Sequence, residues 1–427
     1  MQMQSSPKKL KASIILFISA WIAYTMICFT KTNYTALIAS IVKAGIFTKS
    51  DSGFISACFY IAFGISQIVG GRFTDKKPML AIMIGLIGSL IPNIILCFVT
   101  DFVSVCILWS LCGLMQFGCY PGIVKIVSGY LAPEHREKAR TYVVLCIGVG
   151  GILSYALVAS VYEWLGWSGV FGMDALALGL SVILWLYAMT KVKYLKEDKA
   201  NKNEEIQVQA EEKEQTELPK TEEKQKISFW KLIMTSGLIL AIIINFFMTM
   251  MSNGFKSWIS TMMMECYDLS PVWASMQTAI IYVANILGTF IIAKTFGKIK
   301  NEMLAKGMAM AFCLPFYIVI LFIGQVPAFV IITCSIITTT VLYGIGRVNV
   351  KIASHVEKYG YSATFTGFLN AMASFGVVFA NGGFGIIADR LGWNAVTIVF
   401  VVVCVIAVLG YVVGAIIWNK FKKANNM

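Results

Sequence analysis

Twelve stretches of this 427-residue chain are each apolar for about the 20 residues that a helix needs to cross a bilayer. They fall at 12–42, 51–71, 79–99, 102–131, 139–162, 168–190, 229–263, 270–295, 303–324, 327–355, 361–388 and 393–418. With 58% hydrophobic and 13% charged residues, no water-soluble fold of this size could cover the apolar surface. The composition therefore implies an all-α integral membrane protein with twelve transmembrane helices.

Between the sixth and seventh runs, Lys191–Lys226 is rich in Glu, Lys, Gln and Asn and cannot bury a core. It predicts a division into a six-helix bundle at 1–190, a solvated linker at 191–228 and a second bundle at 229–427. A repeat agrees with that division. Val-Lys-Ile around Lys125 recurs around Lys351, and Leu165-Gly166-Trp167 recurs as Leu391-Gly392-Trp393, both 226 positions on. Two pseudo-symmetric six-helix halves with lysines inside apolar segments imply a secondary transporter whose cations face a shared cavity.

The net charge of +13 does not come from 191–226, which is nearly balanced. Basic residues gather on one side of the expected membrane: Lys8, Lys9, Lys11, Arg72, Lys76, Lys77, Arg136, Lys138, Arg140, Lys294, Lys298, Lys300, Lys358, Lys420, Lys422 and Lys423. The positive-inside rule then predicts a multi-pass cell-membrane protein with both termini cytoplasmic. The cysteines lie mostly within apolar runs and lack the paired spacing of a zinc or disulfide framework. The first apolar run is too long for a cleavable signal peptide. His135 and His355 have no nucleophile or metal-ligand spacing beside them, so an enzyme is not expected. No cofactor, metal or nucleic-acid partner is called for. The implied partners are a small anionic substrate and the lipid bilayer, and bundles of this kind commonly work as monomers.

Gly71-Arg72-Phe73-Thr74-Asp75-Lys76, between the second and third runs, resembles the signature loop of the major facilitator superfamily (MFS), with Pro78 where a second glycine is expected. The resemblance implies the MFS fold and a latch role for Gly71, Asp75 and Lys76 during alternating access. Within that superfamily, three stretches resemble the organophosphate:phosphate antiporters, which include glycerol-phosphate and hexose-phosphate transporters. They are Tyr24 with Lys31-Thr32-Asn33-Tyr34, the segment Gly45 to Gly53, and Leu111 to Pro121 with Lys125 following. The likeness is best over 12–165. In that family the first helix carries a tyrosine and, seven positions on, a phosphate-binding arginine; Tyr24 and Lys31 occupy those positions, with lysine for arginine. Two departures accompany the likeness. The family's arginine before the seventh-helix glycine is missing, Met250 to Asn253 standing there and Lys256 following Gly254. The fifth-helix histidine is missing too, Cys146 and Ile147 leading into Gly148.

Ionisable residues within a membrane are costly and mark functional sites by default. Arg347 is the deepest cation in its run, with Tyr343 one turn to one side and Lys351 one turn to the other, and it is expected to form an anion-binding column. Lys31 and Lys256, 225 positions apart, are expected to clamp one anion from both halves. Tyr24 and Tyr120 are expected ligands, and Lys125 and Lys351 further cations nearer the interface. Tyr60, Gln67, Gln116, Tyr282, Asn285 and Asn370 are uncharged candidates near the cavity, each expected as a helix–helix hydrogen-bonding residue rather than a ligand. Asp174 is the only carboxylate well inside an apolar run, and that scarcity favours anions over cationic drugs. The expected activity is transport of a small organic anion by alternating access, as exchange, with an organophosphate or sugar phosphate as the substrate by resemblance. A carboxylate or sugar acid, carried by symport or exchange, is the alternative substrate. A membrane sensor that binds the anion without moving it is the alternative of another class.

Overall fold

In the computed structural model the described residues are 7–131, 133–191, 227–296, 298–346, 348–356, 359 and 361–425. Among them the secondary structure is helical throughout. The first half comprises α1 (Pro7–Lys43), α2 (Lys49–Lys76), α3 (Pro78–Leu96), α4 (Phe102–Met115), α5 (Cys119–Tyr130) and α6 (Pro133–Lys191). The second comprises α7 (Phe229–Thr235), α8 (Leu238–Tyr267), α9 (Pro271–Phe296), α10 (Glu302–Ile320), α11 (Ala328–Ile345), α12 (Val348–Val356), α13 (Ser362–Val378), α14 (Phe384–Leu391) and α15 (Trp393–Ala424).

Ten described segments are long and apolar enough to cross a membrane. One of them, Tyr142–Thr190, turns at Gly166 and makes two crossings. Adding the 28-residue α2 accounts for the twelve expected. The turns at Gly166 (φ 64°) and Gly392 (φ 79°) both use the left-handed backbone that glycine tolerates, so the repeated Leu-Gly-Trp marks the same turn in each half. Nothing lies within 4 Å of a β-carbon built at either glycine, so conformation rather than space requires it.

Two helices break where their sequence dictates. Proline at 121 has no N–H and clashes with the carbonyl one turn earlier, that of Phe117. The helix accordingly passes through a 3₁₀ turn at Gln116–Gly118, and Gln67 on α2 donates its Nε2–H to that Phe117 carbonyl at 3.1 Å. A π-turn at Phe379–Gly383 separates α13 from α14, and Trp258 Nε1–H reaches its Ala380 carbonyl at 3.1 Å. Elsewhere Asp101 caps α4, accepting the Ser104 N–H at 2.9 Å, and that bond holds its carboxyl below the usual range.

One expectation needs correction. Gly71, Asp75 and Lys76 belong to the last turns of α2 rather than to a loop, because only Lys77 joins α2 to α3. The side chain of Asp75 lies outside the described set, and Lys76 is exposed. Within the run 327–355, α11 ends at Ile345 and α12 begins at Val348, and Gly346 between them keeps right-handed helical backbone. Arg347, between those helices, lies outside the described residues.

Candidate functional site

A cavity of about 240 Å³ lies between the two halves. Three rows of side chains build it. On α1, Tyr24, Cys28 and Lys31 recur at helical spacing and so share one face. On α8, Thr249, Asn253 and Lys256 do the same, and each stands 225 positions after its counterpart on α1. The break at Gln116–Gly118 brings Gln116, Cys119 and Tyr120 to the wall, where the Tyr24 and Tyr120 rings lie 5.7 Å apart.

The two lysines are held by aromatic faces. Lys31 Nζ lies 4.1 Å from the centre of the Phe63 ring, 5.1 Å from Tyr60 and 5.8 Å from Phe59. Lys256, 8% exposed, has Nζ 5.5 Å from Tyr343 and 5.8 Å from Tyr282. Ring quadrupoles compensate part of a cation's lost hydration but supply no counter-charge. Among the described residues the lining contains no Asp or Glu. Asp174 is instead fully buried within the first half, where it accepts a hydrogen bond from Asn33. The cavity can thus bind a small anion by charge-assisted hydrogen bonds from two sides, with hydroxyls and amides left to read the rest of a ligand.

One end of this cavity is sealed. On the face away from the chain ends, Lys49 bonds Glu265 at 2.9 Å and lies 3.9 Å from Asp389. Ser50 N–H donates to Asp389 at 2.6 Å, and Trp393 Nε1–H to Glu265 at 2.8 Å. Behind these, α2 meets α14 and the π-turn through glycines. A β-carbon at Gly53 would lie 2.4 Å from the Asn381 carbonyl oxygen, and one at Gly385 2.6 Å from that of Lys49. Nearer the cavity, Tyr155 O–H donates across the halves to the Lys256 carbonyl at 2.6 Å. Among the described residues every ion pair between the halves lies on this face.

Of the residues singled out in the sequence, Tyr24, Lys31, Tyr60, Gln116, Tyr120, Lys256, Tyr282 and Asn285 line the cavity. Lys125 and Lys351 do not; both are exposed, Lys125 beyond Tyr120 toward the face that carries the chain ends. Gln67 serves the broken turn, and Asn370 is exposed outside the lining. Thr32, Phe63, Thr249, Asn253 and Ser374 are cavity residues that sequence reasoning passed over. Asn253 had a signal, because the shift that relates Lys31 to Lys256 carries Cys28 onto it. Lys306 is a buried cation also passed over. It bonds Asn349, which reaches Asn245 at 3.3 Å, inside the second half and away from the cavity.

The chain is 23% identical over 433 aligned residues to a probable hexose phosphate transport protein of Chlamydia trachomatis, covering 96% of this chain and 91% of that one. Over 171 residues it is 29% identical to the membrane sensor protein UhpC of Salmonella typhimurium; that match spans 40% of this chain and only 39% of the sensor's length. Among solved structures, a bacterial homologue of the human lysosomal transporter Spinster superposes with a TM-score of 0.76 at 13% identity, over 98% of this chain and 99% of that one. The sequence pattern of the Major Facilitator Superfamily matches residues 20–360, and with the helix order and the cavity between halves this establishes that the chain belongs to the Major Facilitator Superfamily.

Proposed function

We propose that the protein moves a small organophosphate anion, a sugar phosphate or a glycerol phosphate, across the membrane by exchange. The observation that carries this reading is the pair Lys31 and Lys256, projecting from repeat-related positions into one cavity whose described lining has no carboxylate. Bringing an empty doubly cationic cavity through the transition between open states is costly, because the charge would be left in low dielectric. A bound phosphate monoester neutralises it, and that favours exchange over one-way release. The hexose phosphate transport relative supports the same substrate class.

In this reading the halves, 1–190 and 229–427, rock about the site while 191–228 joins them. Both termini face the cytoplasm, so the conformation with the Lys49–Glu265 contacts closed is open to the inside. Lys31 and Lys256 bind the phosphoryl oxygens, and Tyr24 and Tyr120 contribute hydroxyls beside them. Arg347 adds a third cation, and Lys125 and Lys351 draw anions toward the mouth. Gly71, Asp75 and Lys76 latch the inner side when it closes. The protein then acts as a transporter, not as an enzyme.

The test is counterflow in proteoliposomes. Vesicles loaded with inorganic phosphate are offered labelled sugar phosphates and carboxylates, for wild type and for Lys31→Gln and Arg347→Gln. Phosphate-driven uptake of the esters, lost in both variants, is the expected result. Uptake of carboxylates alone would replace the substrate class, and uptake surviving both substitutions would remove the anion clamp. The likeness to a membrane sensor over part of the chain supports a second reading, binding without flux. Saturable phosphate-ester binding with no counterflow would establish it.

A further inference from the structure

A second cavity, of about 220 Å³, lies away from the first, between the start of α1 and the start of α6. Its floor is apolar: Ile14 and Phe17 from α1, Leu131 and Ala139 from the segment that leads into α6. Its rim is not, for His135 and Lys138 stand there, both exposed.

The position of this groove along the membrane normal follows from the two apolar spans that border it, which begin at Lys11 and at Tyr142. Ile14 and Phe17 lie three to six residues inside the first span, roughly 5–9 Å of helix. His135 and Lys138 lie before the second span and outside it. The groove therefore runs from headgroup level into the hydrocarbon. Its shape is fixed by two hydrogen bonds: Arg136 Nε–H closes the turn onto the Leu131 carbonyl at 2.9 Å, and Trp21 Nε1–H holds α1 to the Tyr142 carbonyl at 2.8 Å. Tyr142, at the start of the second span, also suits the interface, where amphipathic rings settle.

Charge selects the occupant. Glu134 is the acidic neighbour, 3.8 Å from His135. Around it the two bordering segments carry Lys8, Lys9, Lys11, Arg136, Lys138 and Arg140, against Glu134 and Glu137. Basic pockets between transmembrane helices at headgroup level bind anionic lipid headgroups, and an acyl chain fills an apolar groove that water would fill poorly. We propose that this groove is a binding site for an anionic phospholipid, its phosphate on Lys138 and His135 and one acyl chain along Ile14 and Phe17.

The test uses the full-length protein, purified in detergent and titrated with dioleoylphosphatidylglycerol or dioleoylphosphatidylcholine, with retained lipid counted by native mass spectrometry. Wild type is expected to retain the glycerol lipid in preference to the choline lipid. Lys138→Gln is expected to weaken that retention roughly fivefold, about what one basic residue contributes at an anionic surface. Ile14→Trp, at a position 45% exposed, is expected to reduce retention of both lipids by filling the floor. Equal retention of the two lipids by wild type would overturn the proposal without recourse to any variant. So would retention unchanged by Lys138→Gln, or lipid displaced by millimolar glycerol phosphate, which would make this a site for a soluble anion.

Discussion

The two walls of the central cavity share a skeleton and differ in what they hang on it. Both present a lysine at the end of a three-residue column, Tyr24–Cys28–Lys31 on one side and Thr249–Asn253–Lys256 on the other. Around Lys31 stand Phe59, Tyr60 and Phe63; around Lys256 stand Tyr282 and Tyr343, with the amides of Asn253 and Asn285 nearby on the same lining. Charge is therefore repeated and neutral polarity is not. In the proposed reading both halves grip the phosphate alike, while the amides that the second half adds distinguish its reading of the rest of the ligand from that of the Tyr24 and Tyr120 hydroxyls.

The largest effect should come from the repeated part. Lys31→Gln and Lys256→Gln should each lower kcat/KM for phosphate-ester counterflow by roughly 30-fold, the loss of one hydrogen bond to a charged group at about 2 kcal/mol. Lys→Arg at either position should retain most of it. If only one of the two matters, the symmetric grip is wrong.

Next comes a contrast between the sealed and unsealed faces. Any β-carbon at Gly53 must push α2 off the Asn381 carbonyl, so Gly53→Val should weaken the seal by about 1–3 kcal/mol, the usual cost of overpacking. Cys266, partly exposed at the end of α8 next to Glu265, is a native reporter there. Its labelling by a membrane-impermeant maleimide, followed by peptide mass mapping, should rise several-fold in the variant.

Asn253→Ala probes the unrepeated part. It should raise KM for a sugar phosphate about fivefold, near 1 kcal/mol for a neutral hydrogen bond, and leave exchange of inorganic phosphate unchanged. An equal effect on both would show that the amide binds the phosphoryl group. The smallest change is expected from Lys49→Gln. A partly exposed ion pair contributes about 0–1 kcal/mol, so Cys266 labelling should rise less than twofold unless the Glu265–Asp389 cluster acts as a unit.

Much of this cavity was legible because a lysine in an apolar run has few other reasons to be there. Lys31 and Lys256 stood out on that ground, and Tyr24 came from the resemblance of the first helix to the organophosphate:phosphate antiporters. Residues without charge were harder to find. Thr249 and Asn253 look like ordinary helix-packing residues until the 225-residue shift pairs them with Tyr24 and Cys28. Lys306 was missed because it lies four residues from Glu302 near a helix start, where a lysine usually reaches out to water; here the fold covers it completely. Gln67 was expected to hydrogen-bond between helices, and it does; the identity of its partner was not legible, because that partner is a backbone carbonyl freed by a proline on another helix and no local pattern announces such a pairing.

That glutamine gives α2 two attachments. At its start Ser50 is bonded to the other half, and at Gln67 the same helix grips the broken turn that carries Gln116, Cys119 and Tyr120. The 17 helical steps from Ser50 to Gln67 make roughly 25 Å of continuous helix, stiff over that length. On the proposed alternating-access reading α2 would work as a connecting rod, so that release of the seal at one end pulls on the cavity wall at the other. Opening the far side of the membrane and reshaping the pocket that holds the cargo then become one movement, with no separate signal passing between them.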